Sequence, residues 1–237
     1  MIDLVIDGVL RGGIYATAAV GYVILYRSIK VINLAYGAMA LLAAYLYWML
    51  TPQLHPLLGF LAILPVMALL AVVADKAVVR TMLGEPVIQI IAATIGLGYL
   101  IKGALLLVLQ LGYALPGYQQ VPYETPLLPR GFVELGALRL DLNFLGAFLA
   151  SIVAFLLLWV FYKKTYLGIA MRAMSNDRPS AVAFGVRPTE AITTSWILAG
   201  LLAAISGVLY ASIFGGPSGS VEYIGVKALP VIILGGL

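Results

Sequence analysis

Residues Thr165 to Glu190 form the only long polar interval between two apolar runs that carries a strong positive bias. Arg172, Arg178 and Arg187 lie within this stretch, and Lys163 and Lys164 stand just before it, against Asp177 and Glu190. Such a set can pair with charges on another molecule and can fix helix ends. Asn176 or Asp177 suits a helix start, and Pro179 suits the first turn, where its missing N–H costs nothing. Ala181, Val182, Ala183 and Phe184 supply one or two apolar-rich turns, and Gly185 suits a C-terminal stop. The spacing therefore predicts a short helix from about Asp177 to Gly185. Two readings are open for it: a docking surface on which a soluble partner pushes, or an ordinary basic loop.

A second kind of chemistry is scattered. Asn33, Tyr36, Gln89 and Thr94 place hydrogen-bonding groups inside otherwise apolar runs. They are candidates for lining a solute path, or for interhelical hydrogen bonds that merely fasten a bundle. A path with so few fixed charges suits a neutral or zwitterionic solute.

Other chemistries are poorly supported. The sequence has no G-x-x-x-x-G-K-[ST] phosphate loop, no H-E-x-x-H and no G-x-S-x-G. Its single histidine, His55, sits in a turn beside Pro56, and there is no cysteine, which excludes disulfides and thiolate metal sites. Ion-coupled carriers place carboxylates near the membrane midplane. Here Asp3, Asp7, Asp75, Glu85, Glu124, Glu134, Asp141, Asp177, Glu190 and Glu222 read as lying at span ends or in joints. Lys102 and Arg11 fall inside predicted spans, where each either faces a polar cavity or snorkels to an interface.

The elements that must position these groups follow from composition. Of 237 residues, 63% are apolar and 10% charged. A soluble core of this size cannot use that much apolar surface, so the chain reads as an integral membrane protein. Runs of about 20 apolar residues alternate with short polar joints, which fits helical spans rather than barrel strands. The fold class is all-α polytopic, with about six full spans and a seventh that is cut short. The expected spans are 4–26, 31–50, 57–79, 87–109, 142–162 and 191–214. Gly13, Thr17 and Gly21 recur every fourth residue on one face, as do Ala199, Ala203, Gly207 and Ala211, and both rows invite close helix approach. The interval 110–141 is the longest joint, and the alternation from Phe132 to Leu140 about Gly136 predicts a small hairpin. A further apolar run opens at Val226 and stops after about ten residues, too short to cross. The expectation is one membrane domain over 1–237 that lacks its C-terminal part. With residues 165–190 placed inside the cell, Arg27, Lys30, Lys76 and Arg80 also fall inside, as basic residues prefer. The interval 110–141 and the N-terminus then fall outside.

At this point a family resemblance can be stated. Gly12-Gly13-Ile14-Tyr15-Ala16 through Gly21-Tyr22, followed by Val31-Ile32-Asn33-Leu34-Ala35-Tyr36-Gly37, resembles the opening of the H-type permeases of branched-chain amino acid ATP-binding cassette importers. Leu167-Gly168-Ile169-Ala170-Met171-Arg172-Ala173, with Asp177, Ala181, Gly185 and Val186, is similar to that family's cytoplasmic loop. Gly200 to Tyr210, and Lys227-Ala228 through Leu234-Gly235-Gly236, match the following segments in character. Tyr36 departs from the family, which often has histidine there. The resemblance implies a permease, not an enzyme, in the inner membrane. It implies a second related permease, two cytoplasmic ATPases that bind the ATP, no cofactor in this chain, and an extracytoplasmic binding protein. Arg172, Asp177, Arg178, Ala181, Gly185 and Val186 become the residues of coupling to the ATPases. Related members carry urea or short amides. A passive small-solute channel, a sugar permease of the wider superfamily and a membrane enzyme are the competing readings.

Overall fold

The computed structural model describes residues 2–82, 84–124, 127–129, 131–135 and 138–235. Among them, five helices are long and apolar enough to cross a membrane. They are α1 (Ile2–Ile29), α3 (Pro56–Ala74), α4 (Val87–Tyr113), α5 (Leu142–Lys164) and α8 (Pro188–Ile213). His55 takes the turn position expected of it and its Nδ1 accepts from Leu57 N at the start of α3. The inner row of α3 continues through a π-helical turn, Asp75–Val79, and a 3-10 turn, Arg80–Met82.

The second expected span differs from its prediction. α2 is helical only from Tyr36 to Leu50, 15 residues. At about 1.5 Å per residue that is roughly 22 Å, short of a hydrocarbon core of about 30 Å. Lys30 adopts a left-handed backbone, φ 56°, which ends α1. Residues 31–35 are then not helical. The break is stabilised locally: Asn33 Oδ1 accepts from Ala35 N at 3.0 Å, and Leu34 N donates to Thr94 Oγ1 on α4 at 3.2 Å. Backbone groups away from water need such partners.

α8 is the hub. Ala199, Ala203 and Ala211 are buried, and Gly207 passes so close to α2 that a Cβ there would collide with the Ala40 carbonyl. The small-residue row on α1 behaves likewise: a Cβ on Gly13 would lie 2.8 Å from Phe148, and one on Gly21 would lie 2.6 Å from the Tyr36 ring. Both predicted close-packing faces are therefore used.

The predicted hairpin forms, β1 (Phe132–Leu135) antiparallel to β2 (Leu138–Asp141). Gly136 lies outside the described residues. Asp141 Oδ1 then accepts from Asn143 N at 2.8 Å and starts α5. Between α5 and α8 stand two short helices, α6 (Tyr166–Asn176) and α7 (Arg178–Ala183).

After α8 the chain folds back into the bundle. Val121 N donates to Pro217 O at 3.2 Å and Gly219 N to Tyr118 O at 3.1 Å, so this return strand is tied to the loop after α4. A 3-10 turn, Gly219–Glu222, leads into α9 (Tyr223–Leu234). α2 and α9 begin at the same place: a Cβ on Gly225 would lie 3.0 Å from Gly37 N. From there they diverge. α2 runs to the end where Tyr45 donates to Gln119 O and Tyr123 to Ala44 O. Burial pushes the Tyr123 hydroxyl well above the ordinary phenol range, so it stays a neutral donor. α9 runs to the opposite, basic end, where Val231, Ile232 and Gly235 share a cavity with Arg27, Lys30, Ser175 and Asn176.

Candidate functional site: the basic end and the central junction

At the basic end, the predicted helix between Asp177 and Gly185 is present as α7. Asp177 caps it: Oδ1 accepts from Ser180 N at 3.4 Å, and Oδ2 accepts from the Ser180 hydroxyl. Its C-terminus closes by two reversed bonds, Val186 N to Ala181 O at 3.0 Å and Gly185 N to Val182 O at 2.9 Å. This double closure needs a left-handed residue after the helix, and Gly185 supplies it at φ 88°.

The six residues expected to couple to a partner divide by position. Ala181 is buried and Val186 packs against it, in a small core shared with Ile24 of α1, Met171 and Met174 of α6, and Ala191 and Leu202 of α8. Asp177 and Gly185 shape the two ends of α7. Arg172 and Arg178 are the two that project, both exposed. Phe184, counted at first only as a turn-filler, is 91% exposed at the tip of α7. The signal was available: a bulky apolar residue immediately before a helix-stopping glycine. α6, unpredicted as a separate helix, starts where Thr165 Oγ1 accepts from Gly168 N at 3.0 Å.

Beside this unit lies a cleft of about 440 Å³ lined by Arg80, Leu167, Thr189, Glu190, Thr193 and Thr194. Asp75, fully buried, accepts at Oδ2 from Arg80 Nη2 at 2.9 Å and from the Thr193 hydroxyl at 2.6 Å. The inner end of α3 is thereby tied to the first turns of α8. Arg27, Lys30 and Arg80 thus sit at the same end as residues 165–190, as the charge pattern predicted.

The four hydrogen-bonding residues do not form one group. Asn33, Tyr36 and Thr94 are buried at the break before α2, where Tyr36 OH lies 3.3 Å from Ser206 Oγ and its ring lies 4.6 Å from that of Tyr22. These three take part in hydrogen bonds at or beside the break, and Gln89 stands apart, exposed on the first turn of α4. Thr94→Val should remove the acceptor for Leu34 N and cost about 1 kcal/mol, the net worth of a part-buried hydrogen bond. Thermal unfolding of the purified protein in detergent would show it, and an unchanged midpoint would mean that the break is held otherwise.

Lys102 does not reach out to an interface but is held in an ion pair. Lys102 lies two residues past the midpoint of α4, and its Nζ is 2.9 Å from Glu222 Oε1. Glu222, taken as a joint residue, ends the 3-10 turn that opens α9. Arg11 places its guanidinium 4.4 Å over the Phe144 ring.

A family model described as "Branched-chain amino acid transport system / permease component" matches residues 4–237. The chain belongs to this permease family. Among curated relatives of the permease, LivH of Salmonella typhimurium (strain LT2) is 22% identical over 98% of this chain and 77% of its own length. BraD of Pseudomonas aeruginosa is 24% identical over 98% of this chain and 78% of its own. Both are described as high-affinity branched-chain amino acid transport system permease proteins. No solved structure matches the chain. The permease is a membrane-embedded transport subunit, and its family works with ATP-binding and substrate-binding partners.

Proposed function

We propose that this permease carries branched-chain or related amino acids across the inner membrane. It would do so beside a second, homologous permease. Two cytoplasmic subunits would bind and hydrolyse the ATP, and an extracytoplasmic protein would deliver the solute. The observation that carries this reading is a family match over nearly the whole chain, joined to a capped, exposed helix whose tip presents Phe184.

The basic end is assigned to the cytoplasm, since Lys and Arg accumulate there. Residues 165–190 are then the coupling loop, and residues 110–141 with their hairpin face the binding protein outside. Arg172, Arg178 and Phe184 contact the ATPases. Asp177 and Gly185 keep α7 rigid, and Ala181 and Val186 root it in the core shared by α1, α6 and α8. A push on α7 therefore reaches α5 and α8 as a tilt of helices rather than a flexing of loops. ATP biases the machine because it binds one state more tightly than the other.

Reconstitution with the partner subunits tests the proposal. Uptake of leucine, isoleucine or valine should require ATP and the binding protein. Flow down a gradient without either would identify a passive channel instead. Gly185→Val forces a β-branched residue into a left-handed backbone, at about 1–2 kcal/mol, and unwinds the closure of α7. Uptake should fall at least tenfold with membrane insertion intact. Normal uptake and stimulated ATP hydrolysis in that variant would refute the coupling role.

A further inference from the structure

Charged side chains at the middle of a membrane span are costly and mark a solute path or a protein contact rather than lipid. Two opposite charges meet there in this chain. Lys102 stands near the midpoint of α4, about 22 Å along the helix from Val87. Its partner Glu222 opens α9, whose first turns lie against the start of α2 at Gly37. The pair is not sealed inside the bundle: the Lys102 side chain keeps 20% of its exposure and that of Glu222 keeps 39%. Around it the same outer face shows Tyr99, whose ring lies 4.4 Å below the Lys102 ammonium, together with Tyr223 and Val226, all well exposed. A lipid-facing surface of this chain looks different. The outer face of α5 presents Leu149, Ile152, Val153, Leu156 and Leu157 and no charge.

We infer that the face formed by α4 and the opening of α9 lines the solute path. Lys102 and Glu222 there recognise a zwitterion, the ammonium receiving its carboxylate and the carboxylate its amino group. This inference rests on the proposed transport of amino acids. The chemistry favours it. A bound zwitterion brings both charges of the replaced ion pair, so the pair can open without leaving either charge bare, whereas a singly charged or uncharged solute leaves at least one unpaired. Burial of an unpaired charge is heavily penalised, so the same two residues that close the empty path also select what enters it. Tyr99 and Val226 add apolar surface beside the pair for a side chain. The second permease covers the other side of the path.

The test uses the complete reconstituted importer and exploits a chain that has no cysteine. Tyr99→Cys and Val226→Cys should react with a water-soluble methanethiosulfonate reagent at least tenfold faster than Leu157→Cys. Equal slow rates would overturn the assignment of the path. Lys102→Gln and Glu222→Gln should each lower leucine uptake at least tenfold while binding-protein-stimulated ATP hydrolysis stays within about twofold. The exchange Lys102→Glu with Glu222→Lys should not restore uptake, since it inverts the required orientation of the solute. Full restoration would overturn the recognition role and leave the pair as a fastener. If instead the unmodified importer carries no amino acid, the transport reading fails. The labelling pattern then still decides whether this face meets water.

Discussion

Gly207→Leu is expected to prevent stable assembly of the bundle. The backbone of α8 approaches α2 so closely at this residue that even a methyl group would meet the Ala40 carbonyl oxygen, carbonyl carbon and Cα. Overpacking a core costs about 1–3 kcal/mol where neighbouring side chains can adjust. Here the obstacle is backbone, so the two helices must separate. Separation would also pull Tyr36 from Ser206 and loosen the start of α2. The loss should therefore reach or exceed about 3 kcal/mol. Size-exclusion chromatography of detergent extracts after graded heating gives the readout, with Gly8→Leu as the control. Gly8 has nothing within 4 Å of its Cβ position and should accept leucine without loss. Equal behaviour of the two variants would show that α8 and α2 are not packed as described.

Arg80→Met should cost about 3 kcal/mol, by leaving a buried carboxylate without its cation. Asp75 is fully buried, while the Arg80 side chain keeps 34% of its exposure, so the cost is that of stranding the acid rather than of losing a surface pair. The Asp75 Oδ1 atom has no hydrogen-bond partner within the described structure, so nothing else compensates the charge there. Adding Asp75→Asn to Arg80→Met should recover much of the stability, because the remaining amide can still accept from Thr193. A double variant no more stable than Arg80→Met alone would exclude this account. The same pair ties α3 to α8 beside α7. Single variants should therefore also weaken the response of ATP hydrolysis to loaded binding protein.

Local grammar was legible wherever a few adjacent residues decide the structure. Asp177, Pro179 and Gly185 announced α7, and alternation about Gly136 announced the hairpin. Rows of small residues at intervals of four announced the faces that α1 and α8 bury. The break at residues 31–35 was not legible, because Val31 and Ile32 are equally at home in a helix or an extended strand. Its cause lies 60 residues away in the hydroxyl of Thr94. The Lys102–Glu222 pair was missed for the same reason: 120 residues separate its partners, and Glu222 sits in a glycine-rich stretch that reads as a surface joint. Asn33, Tyr36 and Thr94 stand out by type as polar groups in apolar runs. Their hydrogen-bond partners, Leu34 N, Ala35 N and Ser206, are visible only in the fold.

The shortness of α2 also constrains how the protein is made. A segment leaving the ribosome enters the bilayer independently when about 20 apolar residues can satisfy their own backbone and span it. The folded helix Tyr36–Leu50 is shorter than that, the break before it is tied to Thr94, and Tyr36 itself to Ser206, 170 residues on. The final shape of this part of the chain is therefore reached only once α8 is in place. A chain halted before α8 would lack the partner of Tyr36 and should be cut faster by added protease than the full chain.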